Sequence, residues 1–178
     1  MTLNEKLKTL SKIELEKLVL NAAAKHKEFD IYLRLNYLDK AQTETELIEN
    51  TKREIDMLMR KSYKGFSHQL QLANMLTACN KKVVAFSKVC KNKKAEADLL
   101  MLLLEIPFQY APSGSLGTCF TAYDYKVANL VKKVITIVNT KLHPDYKIEY
   151  AEKINSYLTI LHSCSSQNDF VYALPKSF

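Results

Sequence analysis

The stretch KKVVAFSKVCKNKK, residues 81–94, is the densest group of anion-binding side chains in the sequence. It carries six lysines and no carboxylate. On a helix, which turns by about 100° per residue, Lys81, Lys88 and Lys91 fall together, opposite Val83 and Phe86. Such a row of ammonium groups can neutralise several phosphates of a polyanion. The sequence therefore predicts a polyanion-binding set: Lys81, Lys82, Lys88, Lys91, Lys93 and Lys94.

The distribution of charge along the chain supports this prediction and also limits it. Residues 1–60 hold eleven basic and eleven acidic side chains, whereas residues 61–100 hold eight lysines against two acids. Only three of the 26 basic residues are arginines, the side chain that makes forked contacts to phosphate and guanine, so base-specific reading is not expected. A well-solvated helix face is the favoured interpretation. Non-specific binding of nucleic acid or another polyanion through residues 61–94 is the alternative.

The loop SGSLGTCFT, residues 113–121, offers a second kind of anion site. Glycines just before a helix N-terminus can expose backbone N–H groups to a ligand. This predicts a loop ligand site formed by Ser115, Gly117, Thr118 and Cys119. The pattern GxxxxGK[ST] is absent and no strand pattern precedes the loop, which excludes a P-loop and a dinucleotide fingerprint. A plain connection between two helices accounts for the loop equally well.

Residue spacings typical of catalysis or metal binding are missing. A nucleophilic Cys119 would need a histidine held by a third group, and the four histidines are scattered. No HExxH or paired-cysteine pattern occurs, so no metal and no cofactor are predicted. Asp98 and Glu105 lie seven residues apart and would be acid–base candidates if buried, although a water-facing strip is the simpler interpretation. An enzyme seated at loop 107–121 with these carboxylates is the smaller alternative to a non-enzymatic protein.

The elements that position these residues are predicted to be helices. Three glycines and four prolines in 178 residues are few for a chain rich in turns. Capping patterns predict helix starts at Thr2, Ser11, Thr43, Ser67 and Thr121. Asn80 is expected to break one helix, and Pro107 to end another.

The predicted fold is all-α, with seven or eight antiparallel helices in a bundle or a short α–α superhelix. One domain is expected over residues 1–178, with its main internal loop at 107–120 and a C-terminal tail at 165–178. No signal-peptide pattern is present, and the apolar run Leu99–Leu104 is too short to span a bilayer. A cytoplasmic location with reduced cysteines and no membrane partner is therefore expected.

Three segments resemble an all-helical bacterial family known only as a domain of unknown function. They are LSKIELEKLVLNAAAKHKEFDIYL near the start, ADLLMLLLE in the middle, and YDYKVANLVKKV after the loop. The resemblance spans most of the chain and implies an all-α bacterial protein, without an activity or site residues.

A non-enzymatic scaffold or protein-interaction module is the function that the sequence favours. Stacked amphipathic helices and ten tyrosines can provide a contact surface for a protein partner. No small-molecule ligand is required by any motif.

Overall fold

The structure, a computed structural model, describes residues 2–109, 121–164 and 168–178. Every regular element in these ranges is an α-helix, which confirms the predicted all-α class. The described helices are α1 (Leu3–Thr9), α2 (Lys12–Lys25), α3 (Lys27–Tyr37), α4 (Lys40–Met59), α5 (His68–Val89), α6 (Lys93–Gln109), α7 (Thr121–Lys141), α8 (Tyr146–Cys164) and α9 (Asn168–Tyr172). None of the helices so described is both long enough and apolar enough to cross a membrane.

The chain forms two compact units, Met1–Leu47 and Ile48–Phe178. Helix α4 begins in the first unit and ends in the second. The single-domain interpretation of residues 1–178 remains a prediction.

The first unit is built from short helices with well-formed N-termini. Thr2 and Ser11 each accept a backbone hydrogen bond from the glutamate three residues later, and each glutamate side chain accepts one in return. These two predicted capping boxes are therefore confirmed. Helix α2 packs against α3, yet neither α1 nor α2 contains a buried residue.

The predicted helix start at Thr43 is wrong. Helix α4 begins at Lys40, and the side chain of Asp39 accepts a hydrogen bond from the Gln42 N–H at 3.0 Å. Thr43 lies inside the helix, where its hydroxyl donates to the Asp39 carbonyl at 2.6 Å. Aspartate is at least as good an N-cap as threonine, and the earlier cap adds almost a full turn to the helix.

Helix α7 is the central helix of the second unit. This helix contacts α5, α6, α8 and α9, while α5 also packs on α6. Helix α6 contributes Leu99, Leu100, Leu103 and Leu104, which have almost no solvent exposure. Apolar side chains on more than one side of α6 are buried, as the near-continuous apolar sequence predicts.

Helix α5 corrects the predicted break at Asn80. Ser67 caps the helix by accepting a hydrogen bond from the Leu70 N–H, as expected, but α5 then continues without interruption to Val89. Asparagine costs a helix only a few tenths of a kcal/mol relative to a good helix former, roughly 0.5 kcal/mol. Burial of Cys79 and Val83 on either side of Asn80 outweighs that cost.

Pro107 does not end helix α6, as the sequence had predicted. The helix continues through Pro107 to Gln109, and Pro107 is buried. Proline removes one hydrogen bond, but its fixed φ angle suits a helix, and packing near the end of the element can offset the loss. The predicted loop at 107–120 is therefore helical over its first three residues. The predicted tail at 165–178 contains α9.

Candidate functional site

The predicted polyanion-binding lysines separate into two groups. Lys81, Lys88 and Lys91 are exposed and form no ion pair with any described residue. Lys82 bonds Glu54 at 3.1 Å, Lys93 bonds Glu96, and Lys94 bonds both Asp98 and Glu149. The second group therefore already has carboxylate partners. The predicted single helical row is interrupted, because α5 ends at Val89 and Lys91 lies between α5 and α6. Polyanion binding stays a prediction that rests on these three exposed lysines.

The predicted loop ligand site cannot be placed in the fold. Ser115, Gly117, Thr118 and Cys119 lie outside the described residues. The predicted cap at Thr121 coincides with the first residue of α7, whose side chain is likewise not described.

Asp98 and Glu105 join helix α6 to helix α8. Asp98 accepts a hydrogen bond from the Tyr150 hydroxyl, and Glu105 accepts one from Lys153 at 3.2 Å. Both carboxylates keep substantial contact with solvent. Burial, followed by the hydrogen bond to Asp98, raises the pKa of Tyr150 above its usual range. This arrangement supports the water-facing interpretation over an acid–base pair.

A buried ion pair that the sequence reasoning missed lies beside them. Glu96 is 4% exposed and accepts hydrogen bonds from Lys93 at 2.6 Å and Lys133 at 3.1 Å. Burial alone would raise the pKa of Glu96, but the two lysines together lower it below the ordinary value. The signal in the sequence was an acid that follows Lys93 and Lys94 and shortly precedes the longest apolar run.

The structure describes the side chains of two cysteines, and it places Cys79 where its thiol is protected. Cys79 and Cys90 are buried, and burial raises the pKa of the Cys79 thiol to about 11. At pH 8 only about one molecule in a thousand would carry the Cys79 thiolate, which is the nucleophilic form. No cluster of His, Cys, Asp or Glu side chains within the described ranges is arranged to hold a metal ion.

We expect iodoacetamide at pH 8 to leave Cys79 unmodified in the folded protein, because the thiol is both buried and protonated. The measurement is peptide mass spectrometry after a timed reaction. The same reaction in denaturant serves as the control and should label Cys79 fully. Rapid labelling of folded Cys79 would contradict the buried placement.

A cleft lies between α5 and α7 in the second unit. Its volume is about 530 Å³. Lysine and asparagine side chains of α7 form one wall, and Asn80 and Thr77 lie on α5. The lining residues are Leu76, Thr77, Asn80, Tyr125, Lys126, Asn129, Leu130, Lys132 and Lys133. The spacing Lys126, Asn129, Lys133 follows one helix face and was the sequence signal for this wall.

Exposed apolar side chains are concentrated in the first unit. Helix α2 exposes Ile13 at 64% and Leu20 at 69%, seven residues apart and so on one face. The other strongly exposed apolar residues of this unit are Leu3, Leu18, Val19, Tyr32, Tyr37 and Leu38. By contrast, Leu35 is its one buried hydrophobic residue in the described range. We call this set the N-terminal apolar surface.

Comparison with known proteins identifies no relative of this chain. No protein-family model, curated protein or solved structure matches the chain.

Proposed function

We propose that this protein is a non-enzymatic interaction module that pairs with a second copy of itself through the N-terminal apolar surface. The observation that carries the proposal is the near absence of buried apolar side chains from a unit that contains three helices and part of a fourth. An apolar surface of this density is typical of a protein–protein contact, because exposing it to water is unfavourable.

The charge distribution favours a second copy as the partner. Residues 1–47 carry eight basic and eight acidic side chains, so this unit is neutral. The whole excess of +7 lies in residues 48–178. Two copies can therefore approach through their first units without the repulsion that the lysine-rich residues 61–100 would bring.

Helix α2 also has the charge order of a self-complementary element. Its first turn contains Glu14, and its last turn contains Lys25. In an antiparallel pair of α2 helices that places Glu14 of each copy opposite Lys25 of the other, Val19 and Leu20 of the two copies would meet at the centre, and Ile13 would lie near each end of the contact. A two-fold interface of this kind uses one surface patch twice.

The double substitution Ile13→Glu with Leu20→Glu is expected to weaken self-association at least tenfold, because each dimer would bury four carboxylates in place of apolar side chains. Sedimentation equilibrium measures this directly. The wild-type chain should approach twice its mass of 20.4 kDa, and the variant should stay at one chain.

Ile148→Glu is the matched control. Ile148 is 82% exposed but lies in the second unit, so its substitution should leave the dimer unchanged. A wild-type chain that remains a monomer up to about 100 µM would refute the proposal, because its affinity for itself would be weaker than a functional dimer requires. Equal dissociation by the control variant would refute the assignment to α2.

A further inference from the structure

The cleft between α5 and α7 has the electrostatics of an anion site. Three ammonium groups line it, those of Lys126, Lys132 and Lys133, and no carboxylate is among the lining residues. Lys133 already pairs with buried Glu96 at 3.1 Å, so the uncompensated charge comes from Lys126 and Lys132, neither of which makes an ion pair with a described residue. The Cα atoms of Lys126 and Lys133 are about 10.5 Å apart along the helix. At this separation, both long side chains can reach the same anion.

One neutral polar atom in the same cleft, the side-chain oxygen of Asn80, lacks a partner. The side-chain Oδ1 of Asn80 is buried and accepts no hydrogen bond from the described residues. A buried acceptor left in this way costs about 1–3 kcal/mol. A ligand N–H or O–H group that entered the cleft could satisfy it after a small adjustment of the amide. Asn129 projects from the opposite wall, with its amide donating to the Tyr125 carbonyl at 2.9 Å.

The remaining lining is apolar and aromatic. Leu76 and Leu130 are buried at the base, and the half-exposed ring of Tyr125 stands at the edge, where it packs edge-on against Phe170 at 4.9 Å. A flat, weakly polar group could stack or pack here. The volume of about 530 Å³ lies within the range of small-molecule sites.

We infer that the α5–α7 cleft binds a nucleoside phosphate. The phosphates would lie between Lys126, Lys132 and Lys133, and the base or sugar would lie over Leu130 and Tyr125 and donate to Asn80. Lysine is a common phosphate ligand, acting as a point charge. The inference is independent of self-association, because no residue of the cleft belongs to the first unit.

Isothermal titration calorimetry with ADP tests the inference, with inorganic pyrophosphate and adenosine as separate arms. ADP is expected to saturate one site per chain and to bind more tightly than pyrophosphate, because pyrophosphate lacks the group that contacts Asn80 and Tyr125. Adenosine should bind least tightly, because it lacks charge. Lys126→Gln should weaken ADP binding about tenfold, as expected for loss of a charged contact.

Two further variants test whether ADP binding is specific to the cleft. Lys88→Gln removes the same charge from an exposed residue outside the cleft and should change ADP affinity less than about twofold. Asn80→Leu removes the buried acceptor and should leave the circular dichroism spectrum unchanged. It should weaken the binding of ADP without changing the binding of pyrophosphate. Absence of saturable ADP binding would overturn the inference. Equal losses in Lys126→Gln and Lys88→Gln would also overturn it, since they would show binding to overall charge.

Discussion

Replacing Leu100 by alanine is expected to lower the free energy of unfolding by about 3–4 kcal/mol. Leu100 is fully buried in α6, the helix that packs against both α5 and α7. The substitution removes buried methyl groups and leaves a cavity that three closely packed helices cannot easily close. Denaturant unfolding followed by circular dichroism at one fixed protein concentration measures the change. A fall in Tm of roughly 10 °C should accompany it.

Leu102→Ala on the same helix is the control for this prediction. Leu102 is only partly buried, so the same chemical change should cost less, about 1 kcal/mol. The difference between the two variants tests which side of α6 faces the core. Equal costs for Leu100 and Leu102 would contradict the packing described for the second unit.

Glu96→Gln is the second prediction with a large expected effect. It should lower the free energy of unfolding by about 2–3 kcal/mol at pH 7, because it breaks a buried pair with Lys93 and Lys133. The cost stays below that of a fully enclosed pair, since both lysines retain about a third of their exposure and can return to water. Urea unfolding at pH 7 measures it, with exposed Glu152→Gln as the control.

The pH dependence of this effect has a definite sign. The folded protein holds the pKa of Glu96 below its ordinary value of 4.5, so the stabilisation is fully present above that pH. As the pH falls through the lowered folded pKa, Glu96 is protonated in both states and the stabilisation is lost. The stability difference between wild type and Glu96→Gln should therefore shrink below about pH 4.5 and vanish in strong acid. A difference that is constant from pH 7 to pH 3 would show that the charge of Glu96 does not act.

Most helix positions could be predicted from the sequence, but some helix boundaries and breaks could not. The capping boxes at Thr2 and Ser11 and the cap at Ser67 depend on neighbours three residues away, so they can be read locally. Asn80 and Pro107 have weak or unfavourable helix propensities, and packing of their apolar neighbours decided against a break. Tertiary burial outweighs propensity when the local penalty is small.

The exposed lysines illustrate the same limit for function. A helical wheel over residues 81–94 groups Lys81, Lys88 and Lys91. The structure places Lys81 and Lys88 on the exposed side of α5, but the helix ends at Val89 and Lys91 lies beyond it. The wheel gives no information about Glu54 or Glu149, which come from other helices to pair Lys82 and Lys94. Ion pairs between residues far apart in sequence depend on which helices become neighbours, and this is a property of the fold.

By itself, the sequence determined the all-helical class, the apolar enclosure of α6 and the concentration of positive charge in residues 61–100. These features follow from composition and from a period of three to four residues, which act within single helices. Only the tertiary structure decided that Glu96 is buried between two lysines, that α5 and α7 enclose a basic cleft, and that the first unit leaves its apolar residues uncovered. Each of these depends on contacts between side chains distant in the chain, because a residue's burial and partners are set by the neighbouring helix rather than by its own.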